Sequence, residues 1–220
     1  MLGNNPILKP EKGDGSCLKV NSIFDTLQGE GLYAGAPAIF IRLSGCNLAC
    51  TFCDTEFDEY QEISVEEIIT RVKSFSHTYK KLVVLTGGEP FRQPISLLCE
   101  KLVKEGFKVQ IETNGLLYRN IPKEVEVIYS PKNTGNGYQQ IRKDLLPHVK
   151  AIKFLISASN NLYQDIGTIG QLNSGIKVYV QPMDEFDEKL NLANTILAMQ
   201  VACKRNAILS MQLHKILEIE

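Results

Sequence analysis

The chain has 220 residues, 44% of them apolar, and a formal net charge of −1. This length fits one large domain or two small ones, and the composition is ordinary for a globular protein. The near-neutral charge gives no electrostatic reason to expect binding to nucleic acid or to an anionic membrane.

The first residues show no charged segment followed by an apolar run, and no stretch is apolar for the length of a membrane span. Six cysteines in such a chain point to the reducing cytosol, where thiols bind metal or sit in cores. We therefore expect a cytoplasmic location.

The N-terminal part begins with a glycine- and proline-bearing stretch, residues 1–17, which we expect to be a loose leader to a single domain over 1–220. Residues 18–24 alternate enough to predict a short strand. The loop Leu27-Gln28-Gly29-Glu30-Gly31 follows, and its glycines allow tight backbone geometry. Gln28 and Glu30 in this loop are either functional residues or solvated turn residues.

Residues 38–43 form a β-branched, aromatic run that predicts a buried strand. Arg42 lies near its end, and a buried guanidinium needs a partner. That partner is either an internal carboxylate in a salt bridge or the carboxylate of a bound substrate.

Three of the six cysteines follow at once, with the spacing Cys-x3-Cys-x2-Cys: Cys46, Cys50 and Cys53. Loops this short strain disulfides, and a structural zinc site needs a fourth ligand that this stretch does not supply. Thiolates are also the ligands of iron–sulfur clusters, and three thiolates on four irons leave one iron open to a substrate or second cofactor. Metal-cluster ligation is the favoured interpretation, with a partial zinc site or free buried thiols as the alternatives.

The rest of the chain alternates strands with helices or crossover segments. Ser64 and Glu67 form a capping-box pattern that starts an amphipathic helix. The further predicted strands are 81–86, 107–112, 125–129, 151–156, 176–180 and 207–211, and the further helices are 93–105 and about 187–204. Residues 132–145 are polar and predict a loop.

Polar residues cluster just after the predicted strands, at 86–89, 112, 130–132 and 181. Alternating strands and helices indicate parallel β/α units, and the carboxyl ends of such strands build the site in β/α barrels. We therefore predict an α/β fold, an open partial β/α barrel of about six parallel strands, with its site at this edge.

The cysteine spacing, with an aromatic residue just before the third cysteine, resembles the radical S-adenosylmethionine (SAM) superfamily. Within it, the chain resembles the 7-carboxy-7-deazaguanine synthase family over nearly its whole length. The motifs that carry this resemblance are Leu27-Gln28-Gly29-Glu30-Gly31, Phe40-Ile41-Arg42-Leu43-Ser44-Gly45-Cys46-Asn47, Cys53-Asp54-Thr55, Thr86-Gly87-Gly88-Glu89-Pro90, Glu112-Thr113-Asn114-Gly115, Ser130-Pro131-Lys132 and Gln212-Leu213-His214-Lys215.

The resemblance implies a role for each matching residue. A 4Fe-4S cluster would be held by Cys46, Cys50 and Cys53, and a magnesium ion by Thr55, whose hydroxyl could equally bond its own backbone in a turn. SAM would contact Phe52, Gly87, Gly88, Glu89, Glu112, Ser130, Lys132 and Gln181. The pterin substrate would contact Leu27, Gln28, Gly29, Glu30, Arg42 and His214, with Arg42 on its carboxylate and with the C-terminal end closing the same pocket.

The implied activity is that of a carbon–nitrogen lyase. Through a 5′-deoxyadenosyl radical it would convert 6-carboxy-5,6,7,8-tetrahydropterin to 7-carboxy-7-deazaguanine with loss of ammonia. An electron donor such as a flavodoxin and a homodimeric state are implied too. Two alternatives stay open: a radical activase that makes a glycyl radical on a partner protein, and a non-enzymatic electron carrier or zinc-stabilised binding module.

Overall fold

The computed structural model describes residues 5–56, 59–76, 81–171 and 175–219. The strands are β1 (Cys17–Leu27), β2 (Pro37–Leu43), β3 (Gln61–Ser64), β4 (Leu82–Gly87), β5 (Lys108–Thr113), β6 (Glu126–Tyr129), β7 (Val149–Ile156), β8 (Lys177–Pro182) and β9 (Ile208–Leu209). The α-helices are α1 (Val65–Phe75), α2 (Ser96–Lys104), α3 (Glu188–Arg205) and α4 (Leu213–Leu217). None of the described helices is both long enough and apolar enough to cross a membrane.

The described strands form one sheet in the order β3-β1-β2-β4-β5-β6-β7-β8-β9. From β2 through β4 to β9 every neighbouring pair is parallel, whereas β1 runs antiparallel to both β2 and β3. The order is linear, with β3 at one edge and β9 at the other, so the predicted open partial barrel is confirmed.

Three details of the sheet differ from the prediction. The parallel run contains β2 and β4 to β9 instead of about six strands, although β9 has only 2 residues. The first predicted strand is antiparallel, because the connection from β1 to β2 is short and a parallel pair needs a long crossover. Strand β3 was not predicted, since its four residues, Gln-Glu-Ile-Ser, give too short a pattern to detect.

The sheet is buried on both faces, as parallel sheets covered by helices usually are. In β4, Val83 and Leu85 belong to the main core, while Val84 and Leu82 pack in a smaller cluster on the other face. The main core also takes the inner faces of α1, α2 and α3. This packing fixes the strands, so their carboxyl ends form a rigid edge.

The start of α1 follows the predicted cap in part. The Ser64 hydroxyl accepts a hydrogen bond from the Glu67 backbone N–H at 3.2 Å. The Glu67 carboxylate, however, bonds Arg71 at 2.6 Å, one turn further along the same helix. The N-cap is therefore confirmed, while the second carboxylate-to-cap bond of a capping box is replaced by an i,i+4 ion pair.

Residues 5–16 are not the loose leader that their composition predicts. Ile7 forms a parallel bridge with Cys46, and the Leu8 N–H donates to the Cys46 carbonyl at 2.8 Å. The buried Asn5 amide donates to the Thr55 carbonyl at 2.7 Å. The segment therefore lies along the cysteine loop, and its glycines and prolines conceal specific contacts that no periodic pattern reports.

Glu11 fastens this segment to Arg92, whose side chain is only 3% exposed, with 2.9 Å between the charged groups. Burial alone would raise the pKa of Glu11, but the hydrogen bond from Lys19 and the charge of Arg92 lower it overall. A carboxylate with a depressed pKa in the folded state stabilises the fold above its unfolded-state pKa, and this contribution is lost as the pH falls.

We expect Glu11→Gln to lower the free energy of unfolding by about 1–3 kcal/mol at neutral pH, because Arg92 is then left buried without its counterion. The difference from the wild type should shrink as the pH falls below the ordinary pKa of a glutamate. Urea denaturation of the apo-protein at neutral pH and at a pH below the ordinary pKa of a glutamate measures both effects. Glu62→Gln, at an exposed position of β3, is the control, and an equal loss there would contradict the prediction.

Candidate active site at the carboxyl ends of the strands

A cavity of about 480 Å³ opens at the carboxyl ends of the parallel strands. That volume lies in the range of small-molecule sites. It is lined by every residue predicted for the site except Glu89: Leu27, Gln28, Gly29, Glu30, Arg42, Cys46, Cys50, Phe52, Cys53, Thr55, Gly87, Gly88, Glu112, Ser130, Lys132, Gln181 and His214. The structure thus gathers residues that are as far as 187 positions apart, from 27 to 214, around one space.

The three cysteines lie on the loop that follows β2. All are free thiols, and the Cys53 N–H donates to the Cys50 carbonyl at 3.1 Å, which closes a tight turn between them. Burial raises the pKa of the Cys46 thiol to about 11 and also raises the pKa of Cys50 and Cys53. Because metals bind thiolates, loading this site releases protons.

The cysteine geometry bears on which metal centre fits. Within the described parts of the chain, no three Cys, His, Asp or Glu side chains converge on a point that could hold one metal ion. A single zinc ion needs such convergence, whereas a cluster takes each thiolate on a different iron and spaces them farther apart. Three thiols facing one cavity are a ligand set that fits an iron–sulfur cluster with one open iron.

Phe52 and Lys132 line the cavity close to the thiols. The Phe52 ring meets Tyr163 edge-on, with 5.1 Å between centroids, which fixes its orientation. Lys132 donates to the Ser130 hydroxyl at 2.7 Å and to the Ser130 carbonyl at 3.0 Å. Burial lowers the pKa of Lys132.

Two glycines let the end of β4 pass against the cysteine loop. Gly87 has φ of +116°, and a Cβ there would lie 2.2 Å from the Leu43 carbonyl oxygen. A Cβ on Gly88 would lie 2.0 Å from the Gly45 carbonyl oxygen. Both glycines line the cavity. A glycine is needed at each position because the backbone packs closely against the end of β2 and the loop that carries Cys46.

We expect Gly88→Ala to destabilise the apo-protein by about 1–3 kcal/mol, because the clash is with backbone and not with a movable side chain. The midpoint temperature of thermal unfolding should fall by roughly 2–4 °C for each kcal/mol of stability lost. Gly137→Ala is the comparison, since its Cβ enters open space and it carries only the left-handed φ of +83°. A larger loss of stability in Gly137→Ala than in Gly88→Ala would contradict this explanation.

Glu89 is the one predicted site residue that the structure does not bring to the cavity. It is fully buried, and its carboxylate accepts from the Thr113 hydroxyl at 2.7 Å and the Asn114 N–H at 2.8 Å. A third bond comes from the Phe91 N–H at 3.0 Å. Burial raises the pKa of Glu89 to about 7. In this structure the Glu89 carboxylate thus ties the end of β4 to the end of β5, and its contact with SAM stays a prediction.

Arg42 and Thr55 meet on one side of the cavity. The Arg42 guanidinium donates to the Thr55 hydroxyl at 3.2 Å and lies 5.6 Å from the centroid of the Phe24 ring. The Thr55 hydroxyl in turn donates to Asp54 at 3.3 Å. The Thr55 hydroxyl therefore bonds the side chains of Arg42 and Asp54.

A carboxylate network borders the same cavity, and all its members except Gln110 line it; it comprises Gln28, Glu30, Gln110, Glu112, Lys153, Gln181 and Gln212. In it, Gln28 donates to Glu112 at 3.0 Å, and Gln181 donates to Glu30 at 3.0 Å. Glu112 and Gln181 were predicted as SAM contacts and Gln28 and Glu30 as substrate contacts. The two predicted sets are thus joined by direct hydrogen bonds.

The sequence analysis missed Lys153 and Gln212, which both line the cavity. Lys153 forms ion pairs with Glu30 and Glu112, and Gln212 donates to Glu30 at 2.8 Å. The available signal for Lys153 was a charged residue flanked by Ile152 and Phe154 inside a strand, since such a group needs a partner when it is buried.

The C-terminal segment closes over the glycine-rich loop. The Leu213 N–H donates to the Gly29 carbonyl at 3.0 Å, and a Cβ on Gly29 would lie 2.3 Å from His214 Nδ1. Lys215 pairs with Asp54 at 3.1 Å and with Asp184 at 2.6 Å. Ile219 also lines the cavity, and Glu220 lies outside the described residues. The absent side chain of Gly29 thus makes room for His214.

Comparisons with known proteins agree with this geometry. The model of the Radical SAM superfamily matches residues 40–130. The chain is 52% identical to 7-carboxy-7-deazaguanine synthase of Rickettsia prowazekii, over 100% of this chain and 96% of the relative. It is 35% identical to the Rhodospirillum rubrum protein of that name, over 100% of both chains. The crystal structure of QueE from Escherichia coli superposes with a TM-score of 0.70 at 29% identity, covering 90% of this chain and 95% of that one.

Proposed function

The chain belongs to the 7-carboxy-7-deazaguanine synthase family of the Radical SAM superfamily, and we propose that it converts 6-carboxy-5,6,7,8-tetrahydropterin to 7-carboxy-7-deazaguanine with loss of ammonia. One observation carries the proposal. A single cavity brings the three free thiols together with a guanidinium and a carboxylate network. A radical activase acting on a protein partner would not need that combination.

The donor set fits the group that the family implies. Cys46, Cys50 and Cys53 would hold a 4Fe-4S cluster, and SAM would lie between it and residues at the ends of β4 and β6. When bound, the reduced cluster and SAM supply an organic radical that removes a hydrogen atom from the substrate. With the chemistry supplied in this way, the protein's main task is placement of the substrate and exclusion of side reactions.

The polar groups that line the cavity would position the substrate. Arg42 would hold the substrate carboxylate, since a guanidinium presents a planar fork of N–H donors that matches it. Glu30 would accept from the N–H groups of the pterin ring, because ionised carboxylates only accept hydrogen bonds. Glu112, predicted as a SAM contact, would do the same, since Gln28 and Lys153 join it to the Glu30 side of the network. His214 and the C-terminal segment would close the pocket and exclude water.

A magnesium ion held by Thr55 is part of the proposal. Magnesium takes hard oxygen ligands and keeps several waters, so one hydroxyl beside a substrate carboxylate is a reasonable partial shell. In support, the Thr55 hydroxyl lines the cavity and lies 3.3 Å from an Asp54 carboxylate oxygen. Its present bond from Arg42 would have to give way or be shared.

We also propose a cytoplasmic homodimer that takes electrons from a protein such as a flavodoxin. The exposed side of α3 carries Leu192, Ile196 and Met199, which are 62%, 49% and 52% exposed, one to two turns apart. Beside α3 runs β9, an open sheet edge whose Ile208 is 46% exposed. Such a patch favours a second copy, and light scattering of the purified protein tests it.

The activity is tested with protein purified anaerobically, reconstituted with iron and sulfide, and reduced in the presence of SAM. We expect 7-carboxy-7-deazaguanine and ammonia from the carboxytetrahydropterin, detected by mass spectrometry. The absence of a ring-contracted product in a protein that cleaves SAM would overturn the proposed function. A colourless, zinc-loaded protein without SAM cleavage would favour a binding module.

A further inference from the structure

Lys153 is a buried cation in the interior of strand β7. Its neighbours Ile152 and Phe154 point into the main core, so by strand alternation Lys153 and Leu155 face the cavity. The side chain is only 5% exposed. A lone ammonium at that position would be costly, so its partners decide its role.

The Lys153 ammonium joins two carboxylates from different parts of the chain. It lies 3.1 Å from a Glu112 oxygen on β5 and also pairs with Glu30, in the loop after β1. Glu30 and Glu112 remain 14% and 17% exposed, so each carboxylate is held from behind while part of it faces the cavity.

Amide side chains fix the remaining carboxylate oxygens. The second Glu30 oxygen accepts from Gln181 at 3.0 Å and Gln212 at 2.8 Å. The second Glu112 oxygen accepts from Gln28 at 3.0 Å and Gln110 at 3.1 Å. Both carboxylates are therefore oriented from several sides, and an ionised carboxylate still has acceptor capacity beyond two bonds.

Two neighbouring carboxylates repel each other, and the ammonium that contacts both offsets that repulsion. Burial alone would raise the pKa of Glu30, but the Lys153 charge lowers it. The same pairing raises the pKa of Lys153 against the effect of burial. The ammonium is nearly covered, whereas the two carboxylates keep part of their surface open to the cavity as acceptors.

Resting on the proposed function, we infer that Lys153 is a positioning residue that holds Glu30 and Glu112 side by side as one receptor for the N–H donor edge of the pterin. The aminopyrimidine part of a pterin carries its exocyclic amino group beside a ring N–H. Paired acceptors match that edge, and Arg42, which lines the same cavity, matches the carboxylate. The arrangement would therefore hold the substrate by two different groups.

The test compares Lys153→Met, Lys153→Arg and the matched control Lys150→Met in the reconstituted holoenzyme. Lys150 lies on the same strand, but its side chain is exposed. For Lys153→Met we expect the KM for the carboxytetrahydropterin to rise by about 10- to 100-fold, the scale of a hydrogen bond to a charged group. The spectral change on adding SAM should persist, Lys153→Arg should recover part of the KM, and Lys150→Met should match the wild type.

A pH profile separates this role from a purely structural ion pair. The titratable groups around Lys153 are Glu30 after β1, Glu112 on β5, Lys132 after β6 and His214 on α4. Without the ammonium, burial still raises the pKa of Glu30, while the charge that lowers that pKa is lost. The KM of Lys153→Met should therefore fall as the pH is raised from about 6 to about 9 by more than that of the wild type.

A KM unchanged in Lys153→Met, or raised without any such pH dependence, would overturn the inference while leaving the proposed function intact. Failure of the wild type to make product would instead overturn the proposed function. If Lys153→Met does not fold, the double variant Glu112→Gln/Lys153→Met restores the charge balance. A raised KM in the folded double variant supports the receptor, and a wild-type KM overturns it.

Discussion

A Cys50→Ala variant is expected to lose its iron, its brown colour and all detectable SAM cleavage. Cys50 lines the cavity between Cys46 and Cys53, and these residues supply the thiols that face it from the loop after β2. With two thiolates left, the centre lacks one of the protein ligands that a cluster with a single open iron requires. Iron and sulfide content, the visible spectrum and methionine release measure the loss.

The chain supplies a matched control. Cys203 is exposed on α3 and does not line the cavity, so Cys203→Ala should keep full iron content and activity. Equal loss of iron in both variants would point to a general effect of cysteine removal, and retained SAM cleavage in Cys50→Ala would refute the cluster assignment.

Much of the fold could be predicted because the strand signals are strong. The run at β4, Leu-Val-Val-Leu-Thr-Gly, is buried on both faces and reads as a strand at any register. What the pattern could not provide is strand direction and short elements. Strand β1 turned out antiparallel, and α4 spans only Leu213–Leu217, too few residues for a helical period.

The site could be predicted where a motif lies immediately after a strand. The carboxyl ends of parallel strands share one edge, so Gly88 after β4 and Ser130 after β6 had to come close to the cysteine loop. The same reasoning does not show that Glu89 is buried away from the cavity lining. A motif position tells which edge a residue is near, but the turn decides whether its side chain faces the cavity or, as here, the Thr113 hydroxyl.

Lys153 shows the opposite limit. It lies inside β7 and in no motif, and its role depends on Glu30 and Glu112, which are 123 and 41 residues away in the sequence. Such a contact follows from strand order, which the sequence does not state. The contacts of residues 5–16 with the cysteine loop escaped prediction for the same reason, because Ile7 and Cys46 are brought together only by the tertiary fold.

Arg42→Met is expected to lower kcat/KM for the carboxytetrahydropterin by between about 30-fold and about 3,000-fold. Losing one partner of a buried, hydrogen-bonded charge pair costs about 2–5 kcal/mol, and each 1.4 kcal/mol is roughly tenfold. SAM cleavage should continue in the variant, because the cysteine thiols are untouched, but it should become uncoupled from product. Coupled measurement of methionine and 7-carboxy-7-deazaguanine gives both quantities.

The substrate can be varied together with the protein, which isolates the carboxylate contact. Tetrahydropterin without the 6-carboxyl group should bind the wild type and Arg42→Met with similar affinity, since neither complex contains the pair. Arg42→Lys should recover only part of the loss, because an ammonium keeps the charge without the two-pronged geometry. Arg71→Met, on the exposed face of α1, should behave as the wild type.

The alternative role for Arg42 is internal, through its 3.2 Å bond to the Thr55 hydroxyl. If that bond were the reason for the arginine, Arg42→Met would weaken both pterins equally and Thr55→Val would reproduce the loss. Under the carboxylate role, Thr55→Val keeps the preference for the carboxylated pterin and loses only any response to magnesium. The ratio of the two affinities in each variant therefore decides which partner Arg42 serves.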